Sequence, residues 1–228
     1  MKSVVRLVGV VVLLLGLLNS ELLFGQSITT VRSNDVDLGR AFRFNVKSDG
    51  VKGTPFLYDE PKSAKISLDG GKVYEDIPFN IFPEKEEIYI QTGGEESDPL
   101  VLKNWNWLET IEDSPKLFRL EYIDGKQRIV EILFEKERDK YVALHTKYLV
   151  KPSNLKDGYT GPQFDTYKPD VKFYKINGLQ SNEFKGNTSG LKDLANNRYN
   201  EVRDYIKTEK LKPENAEDMK KVLVFLFD

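Results

Sequence analysis

The alternation of apolar and polar positions divides the chain into a strand-patterned body and a helix-patterned tail. Through the body, apolar residues recur at spacing two in short runs broken by glycine, asparagine and aspartate, the pattern of half-buried strands joined by tight turns. Residues 64–68, Asp69-Gly70-Gly71 and residues 72–79 predict one hairpin, because glycine supplies the positive φ angles that tight turns require. Residues 118–122, Asp124-Gly125 and residues 127–135 predict a second, with residues 141–150 returning antiparallel beside it. Residues 171–176, Asn177-Gly178 and residues 179–184 predict a third. Residues 87–92 predict a strand with Ile88 and Ile90 on a buried face and Tyr89 and Gln91 facing outward. Residues 100–111 form the densest apolar patch of the middle, and weaker alternation at Phe42, Phe44 and Val46 predicts one strand before the turn Ser48-Asp49-Gly50. Residues 151–169, with three prolines, two glycines and no sustained period, read as a long surface loop.

After Gly190 the period lengthens. Leu191, Leu194 and Ala195, then Tyr199, Val202, Tyr205 and Ile206, recur at spacings of three and four and predict two short helices. Pro213 stands where a third would begin, Glu214, Glu217 and Asp218 suit its positive N-terminal end, and Met219, Val222, Leu223 and Leu226 share one stripe. Residues 222–227 are strand-like as well. The expected role of this helix is to cover a sheet face. The fold class is therefore α+β: an antiparallel body of hairpins, either a twisted sheet or an open barrel, with a helical C-terminal subdomain packed on it. The expected divisions are a signal peptide over 1–25, the β-rich body over 26–187 and the helical subdomain over 188–228.

The signal-peptide expectation rests on a basic start at Lys2 and Arg6, an unbroken apolar and glycine run over residues 7–18, and a small residue, Gly25, at the cut before Gln26. That run is shorter than the ~20 residues a membrane-spanning helix needs, so no transmembrane segment is expected in the mature chain and the protein is expected to be exported, to the periplasm or beyond. Cysteine is absent from the 228 residues, which excludes disulfides and a lipidated cysteine anchor. Removing residues 1–25 leaves a net charge of −3 with acids and bases interspersed, so there is no basic stripe of the kind nucleic-acid binders show.

The stretch Gly53-Thr54-Pro55-Phe56-Leu57-Tyr58, then Lys72-Val73-Tyr74, Pro78-Phe79-Asn80-Ile81 and Glu86-Glu87-Ile88, resembles a group of uncharacterised exported proteins common in Bacteroidetes genomes. The Asp124-Gly125 hairpin, Phe173-Tyr174-Lys175 before Asn177-Gly178, and Lys210-Leu211-Lys212 ahead of an acidic helix start extend the likeness over most of the mature chain. The resemblance implies a secreted β-rich protein of unknown function and carries over no catalytic residue.

Candidate chemistry is sparse. His145 is the single histidine and, with no cysteine beside it, zinc sites of the usual type are not expected; its place among apolar neighbours reads as a sheet residue. No nucleophile elbow and no phosphate-binding glycine loop occurs. The acids around Glu84, Glu86, Glu87, Glu95, Glu96 and Asp98 read as solvated turn residues, and the acidic loop 94–98 lacks the spacing of a calcium loop. No catalytic residue, metal or cofactor is expected. Trp105, Trp107, Tyr122 and Tyr141 are the candidate ligand-binding residues, since aromatic faces stack on sugars or apolar ligands; core packing is the competing reading, and Trp105 and Trp107 are expected to share one strand face. The leading expectation is a non-catalytic envelope protein that binds a protein, a surface glycan or polymer, or a lipid. The alternatives are a carboxylate-based carbohydrate-active enzyme and a structural subunit of an envelope assembly.

Overall fold

A computed structural model describes residues 30–32, 51–92, 97–151 and 164–228. The expectations for the signal peptide, the strand around Phe42 and most of the acidic loop 94–98 lie outside the described residues. Twelve strands are described: β1 (Thr30–Arg32), β2 (Val51–Lys52), β3 (Lys62–Leu68), β4 (Val73–Phe82), β5 (Glu87–Ile90), β6 (Leu100–Leu102), β7 (Trp105–Thr110), β8 (Leu117–Ile123), β9 (Lys126–Lys136), β10 (Asp139–Val150), β11 (Asp165–Asn177) and β12 (Gln180–Phe184). Three helices follow, α1 (Thr188–Ala195), α2 (Tyr199–Thr208) and α3 (Ala216–Phe227). The strands form one antiparallel open sheet in the order β1-β6-β5-β4-β3-β7-β8-β9-β10-β11-β12, with β2 added in parallel on β11. The α+β class is as expected, and of the two β architectures the open sheet, not a closed barrel, is present.

The predicted turns carry the meander. Asp124 and Gly125 have φ of 50° and 74°, the paired left-handed geometry of a two-residue type I′ hairpin, and Ile123 pairs with Lys126 across them. In the third hairpin the turn is Gly178-Leu179, one residue later than the Asn-Gly cue, because Asn177 pairs with Gln180 and glycine takes the first central position at φ 60°.

The sheet curls in two opposite senses. Leu102 of β6 and Ile129 of β9 belong to one buried cluster with Ile66, Phe79, Ile90, Leu108 and Phe118. This cluster draws no residue from a helix among the described residues, yet Ile66, Phe79, Ile90, Leu108 and Phe118 are each at most 1% exposed, so this half of the sheet curls around its own side chains. Val130 and Ile132, in the opposite phase of β9, join Ile123, Val142, Leu144, Tyr174 and Ile176 on the other face. There the β8–β9 turn reaches β12: the Asp124 N–H donates to Ser181 Oγ at 3.1 Å.

The helices cover the first face of the second half. Met219, Val222, Leu223 and Leu226 of α3, with Leu191, Ala195 and Val202, bury against Leu133, Tyr141, Ala143 and Phe173 of the sheet, so residues 222–227 are helix and the expected cover is present. Asn215, not Pro213, starts α3, its Oδ1 accepting the Asp218 N–H at 2.8 Å. Arg198 donates to the Leu226 carbonyl at 2.5 Å and tethers the helix's C-terminal end. The α2–α3 loop packs so closely on the β12–α1 linker that a Cβ at Gly186 would lie 2.2 Å from the Pro213 carbonyl oxygen.

Three further expectations are corrected. Tyr89 is 1% exposed and Gln91 7%, so the strand after Glu87 is buried on both faces: Ile88 and Ile90 enter the first core, while Tyr89 packs with Phe56, Phe82 and Val101 on the other side. Residues 165–169 belong to β11 rather than to a surface loop; Pro169 is tolerated because β12 pairs only from Phe173 onward and β2 only at Asp165 and Thr166, leaving that stretch an edge where a missing N–H breaks no ladder. A register shift opposite Ser67 and Leu68 puts Trp105 in phase with Leu108 and not with Trp107.

Candidate functional site

β9 pairs with β8 over residues 126–132, but its ladder with β10, which starts at Lys136↔Asp139, stops at Glu131↔Ala143. Beyond that point β9 continues with β8, while β10 continues with β11 as a two-stranded ribbon running to Val150↔Thr166. The sheet therefore forks, and Glu131 stands at the fork. The row that crosses the sheet here is Ile66–Leu108–Phe118–Glu131–Ala143–Phe173–Phe184. Glu131 is its one polar member and is 1% exposed. It sits on the seam between the core wrapped by the first half of the sheet and the core under the helices.

One side of the fork is sealed by Glu86, in the β4–β5 turn. Its carboxylate accepts the Ile129 N–H at 2.7 Å and the Arg128 guanidinium Nε–H. Glu86 thus takes the backbone donor that a continued β10 strand would otherwise have met, at a residue in left-handed geometry, φ 53°.

The other side holds the candidate site. His145, two residues beyond Ala143 on the same face of β10, places Nε2 2.7 Å from Glu131 Oε2; its side chain is 16% exposed against 2% for Glu131. Lys147 follows on that face, nearly buried, with its ammonium 3.7 Å from exposed Asp59. Burial pushes the Lys147 amine below its ordinary value and the Asp59 charge partly restores it. Over this strip runs the segment after β2. Asn80, 2% exposed, fixes it by donating to the Tyr58 carbonyl at 2.8 Å and accepting the Tyr58 N–H at 3.1 Å, a side chain standing in for a neighbouring strand. The Tyr58 ring then meets Phe79 edge-on at 5.8 Å, and the Lys116 ammonium lies 5.8 Å from its centroid.

The Tyr58 hydroxyl is buried and has no hydrogen-bond partner among the described residues. Burial drives its pKa far above the ordinary phenol range, and the carboxylates of Glu131 and Glu112 add to the rise. It is therefore a neutral hydroxyl, close enough to Glu131 to feel its charge. An unsatisfied buried hydroxyl costs about 1–3 kcal/mol, and a carboxylate in an apolar row costs several more before its partner is counted. Together the seam offers a donor at Tyr58, an imidazole held by a carboxylate, and a desolvated ammonium, groups whose chemistry suits a polar ligand.

The four aromatic candidates do not converge. Trp105 lies in the first core and Tyr141 under the helices, stacked on Phe227 at 4.8 Å; Tyr122 is half exposed on β8 and Trp107 half-buried on β7. His145 is a sheet residue, as expected, but one engaged by a buried acid. Glu131 and Tyr58 escaped the sequence reading. A signal for Glu131 was present: it interrupts the run Ile129-Val130-Glu131-Ile132-Leu133-Phe134, where a lone acid needs a partner. Nothing in the local sequence distinguishes Tyr58 from the other ten tyrosines.

No family model, curated protein or solved structure matches the chain. The functional reading rests on this geometry.

Proposed function

We propose that the protein is an exported envelope protein that acts by binding, and that its ligand engages the seam formed by Tyr58, Glu131, His145 and Lys147. The observation that carries the reading is the buried Tyr58 hydroxyl, without a hydrogen-bond partner among the described residues, near a buried carboxylate held by His145. Polar groups held at a cost to stability mark functional positions more often than packing ones. Export is supported by the pattern of residues 1–25, and among the described residues no helix is long and apolar enough to cross a membrane. A polar ligand is favoured over a lipid because the concave face of the first half is filled by the chain itself, with Ile66, Phe79, Ile90, Leu108 and Phe118 each at most 1% exposed. Binding is favoured over carboxylate catalysis because the Glu131 carboxylate is already engaged by the His145 imidazole, whereas a glycosidase uses two carboxylates that face each other across the sugar bond.

Native mass spectrometry of the protein purified from its own host tests the reading. The expected result is a retained polar small molecule that is lost in Tyr58→Phe and His145→Gln, with Tyr58→Phe melting at or above the wild-type temperature because it removes an unsatisfied hydroxyl. A bare protein whose Tyr58 and His145 NMR signals do not move on titration with host envelope extract contradicts it.

A further inference from the structure

The ribbon beyond the fork carries a second recognition surface. Past Ala143, β10 has β11 on one side and no ladder neighbour on the other among the described residues. Natural edges are normally blocked, and the outer edge of this ribbon is: β11 presents Lys168, Pro169 and Asp170 where neither β2 nor β12 covers it. The β10 edge over residues 146–150 reads Thr-Lys-Tyr-Leu-Val, with no proline and mostly strand-favouring residues. The ribbon's end also exposes Tyr148 at 52% and Leu149 at 39%, on opposite faces of β10, and Phe164 at 41%, just before β11. Lys151, Lys168 and Lys172 are exposed and form no ion pair among the described residues, and Lys52 stands over the Phe164 ring at 5.0 Å. The acids of the ribbon are Asp165 and Asp170; Asp59 pairs with Lys147 at 3.7 Å, and Glu84 of the β4–β5 turn lies near enough to Tyr167 to act on its hydroxyl. The ribbon is thus a basic, aromatic, unblocked edge on a chain of net negative charge.

We infer that residues 146–150 of β10 accept an acidic peptide segment of a protein partner as an added β-strand. Backbone hydrogen bonds to the open edge supply the affinity, and Lys151, Lys168 and Lys172 select for acidic side chains at alternate positions. The edge adjoins the seam at Lys147, whose ammonium faces Asp59; the variants used in the test leave every seam residue unchanged.

The test uses the full chain with three short synthetic peptides: alternating threonine and glutamate, alternating threonine and lysine, and the acidic one with proline in place of threonine. The expected result is that the threonine–glutamate peptide alone binds and slows amide hydrogen exchange within residues 146–150. The double variant Lys151→Glu and Lys168→Glu, its fold checked by circular dichroism, should weaken that binding about tenfold. Equal binding of the proline-containing peptide would show attraction without strand addition and overturn the inference. So would binding of the lysine peptide, or a saturating acidic peptide that leaves exchange at 146–150 unchanged.

Discussion

Glu86 and Glu131 are two carboxylates that meet the same fork from opposite sides, and their surroundings are not alike. Glu86 receives a guanidinium that is charged at every working pH and a backbone N–H that has lost its strand partner. Glu131 lies deeper, in a row otherwise built of Ile66, Leu108, Phe118, Ala143, Phe173 and Phe184, and it hydrogen-bonds a histidine. The first arrangement satisfies everything it buries. The second buries a charge beside an unanswered tyrosine hydroxyl. A carboxylate that seals a backbone edge is part of the architecture; on the proposed reading, one that interrupts a core row beside a histidine serves recognition. The fork makes both possible, because it frees the Ile129 amide of β9 for Glu86 and leaves His145 without a strand partner on the β9 side among the described residues.

The contrast breaks first at Glu86. Glu86→Ala strands the Ile129 N–H and the Arg128 guanidinium, and should lower unfolding free energy by about 2–3 kcal/mol, since hydrogen bonds to charged groups contribute about that much. Urea denaturation gives the value, and a change under about 0.5 kcal/mol, the level of an ordinary surface substitution, would show that Glu86 is not a seal. The helical lobe supplies a smaller comparison of the same satisfied kind. The Lys212 N–H, with Asn215 and Lys221, holds the Asp218 carboxyl below its ordinary value. A carboxyl depressed in the folded state contributes stability above its unfolded pKa and loses it as pH falls through the folded value. Asp218→Asn should therefore flatten the loss of stability between about pH 5 and about pH 2 relative to wild type, read from melting temperatures across that range. Because the group is near the surface, this effect is the smallest of the set.

Local signals in the chain carried local structure. Asp124-Gly125 placed its hairpin because two consecutive left-handed residues suit few other pairs, and the spacing of Met219, Val222, Leu223 and Leu226 placed the covering helix because a 3.6-residue period admits one buried stripe. Long-range pairing was not legible in the same way. Tyr89 looked solvent-facing until Phe56, more than thirty residues earlier, covered it. Trp105 and Trp107 looked equivalent until a bulge, which depends on the partner strand, separated them. The fork itself has no sequence marker, since residues on both sides of Glu131↔Ala143 favour strands equally. What could be read was the anomaly it leaves behind, an acid in the apolar run 129–134, and the same logic of an unmatched polar residue points to His145 four residues after Tyr141.

The central claim is that Glu131 serves recognition at the expense of stability, and Glu131→Leu tests it most directly. Leucine matches the rest of its row and relieves the buried charge, and replacing buried ionic groups by packed apolar ones is often stabilising by about 1–4 kcal/mol. Urea unfolding of the variant beside wild type should give a higher midpoint with an unchanged slope, a gain of about 1–3 kcal/mol. A loss of about 3 kcal/mol or more, the signature of a broken structural pair, would make the Glu131–His145 contact a support of the fold and contradict the account.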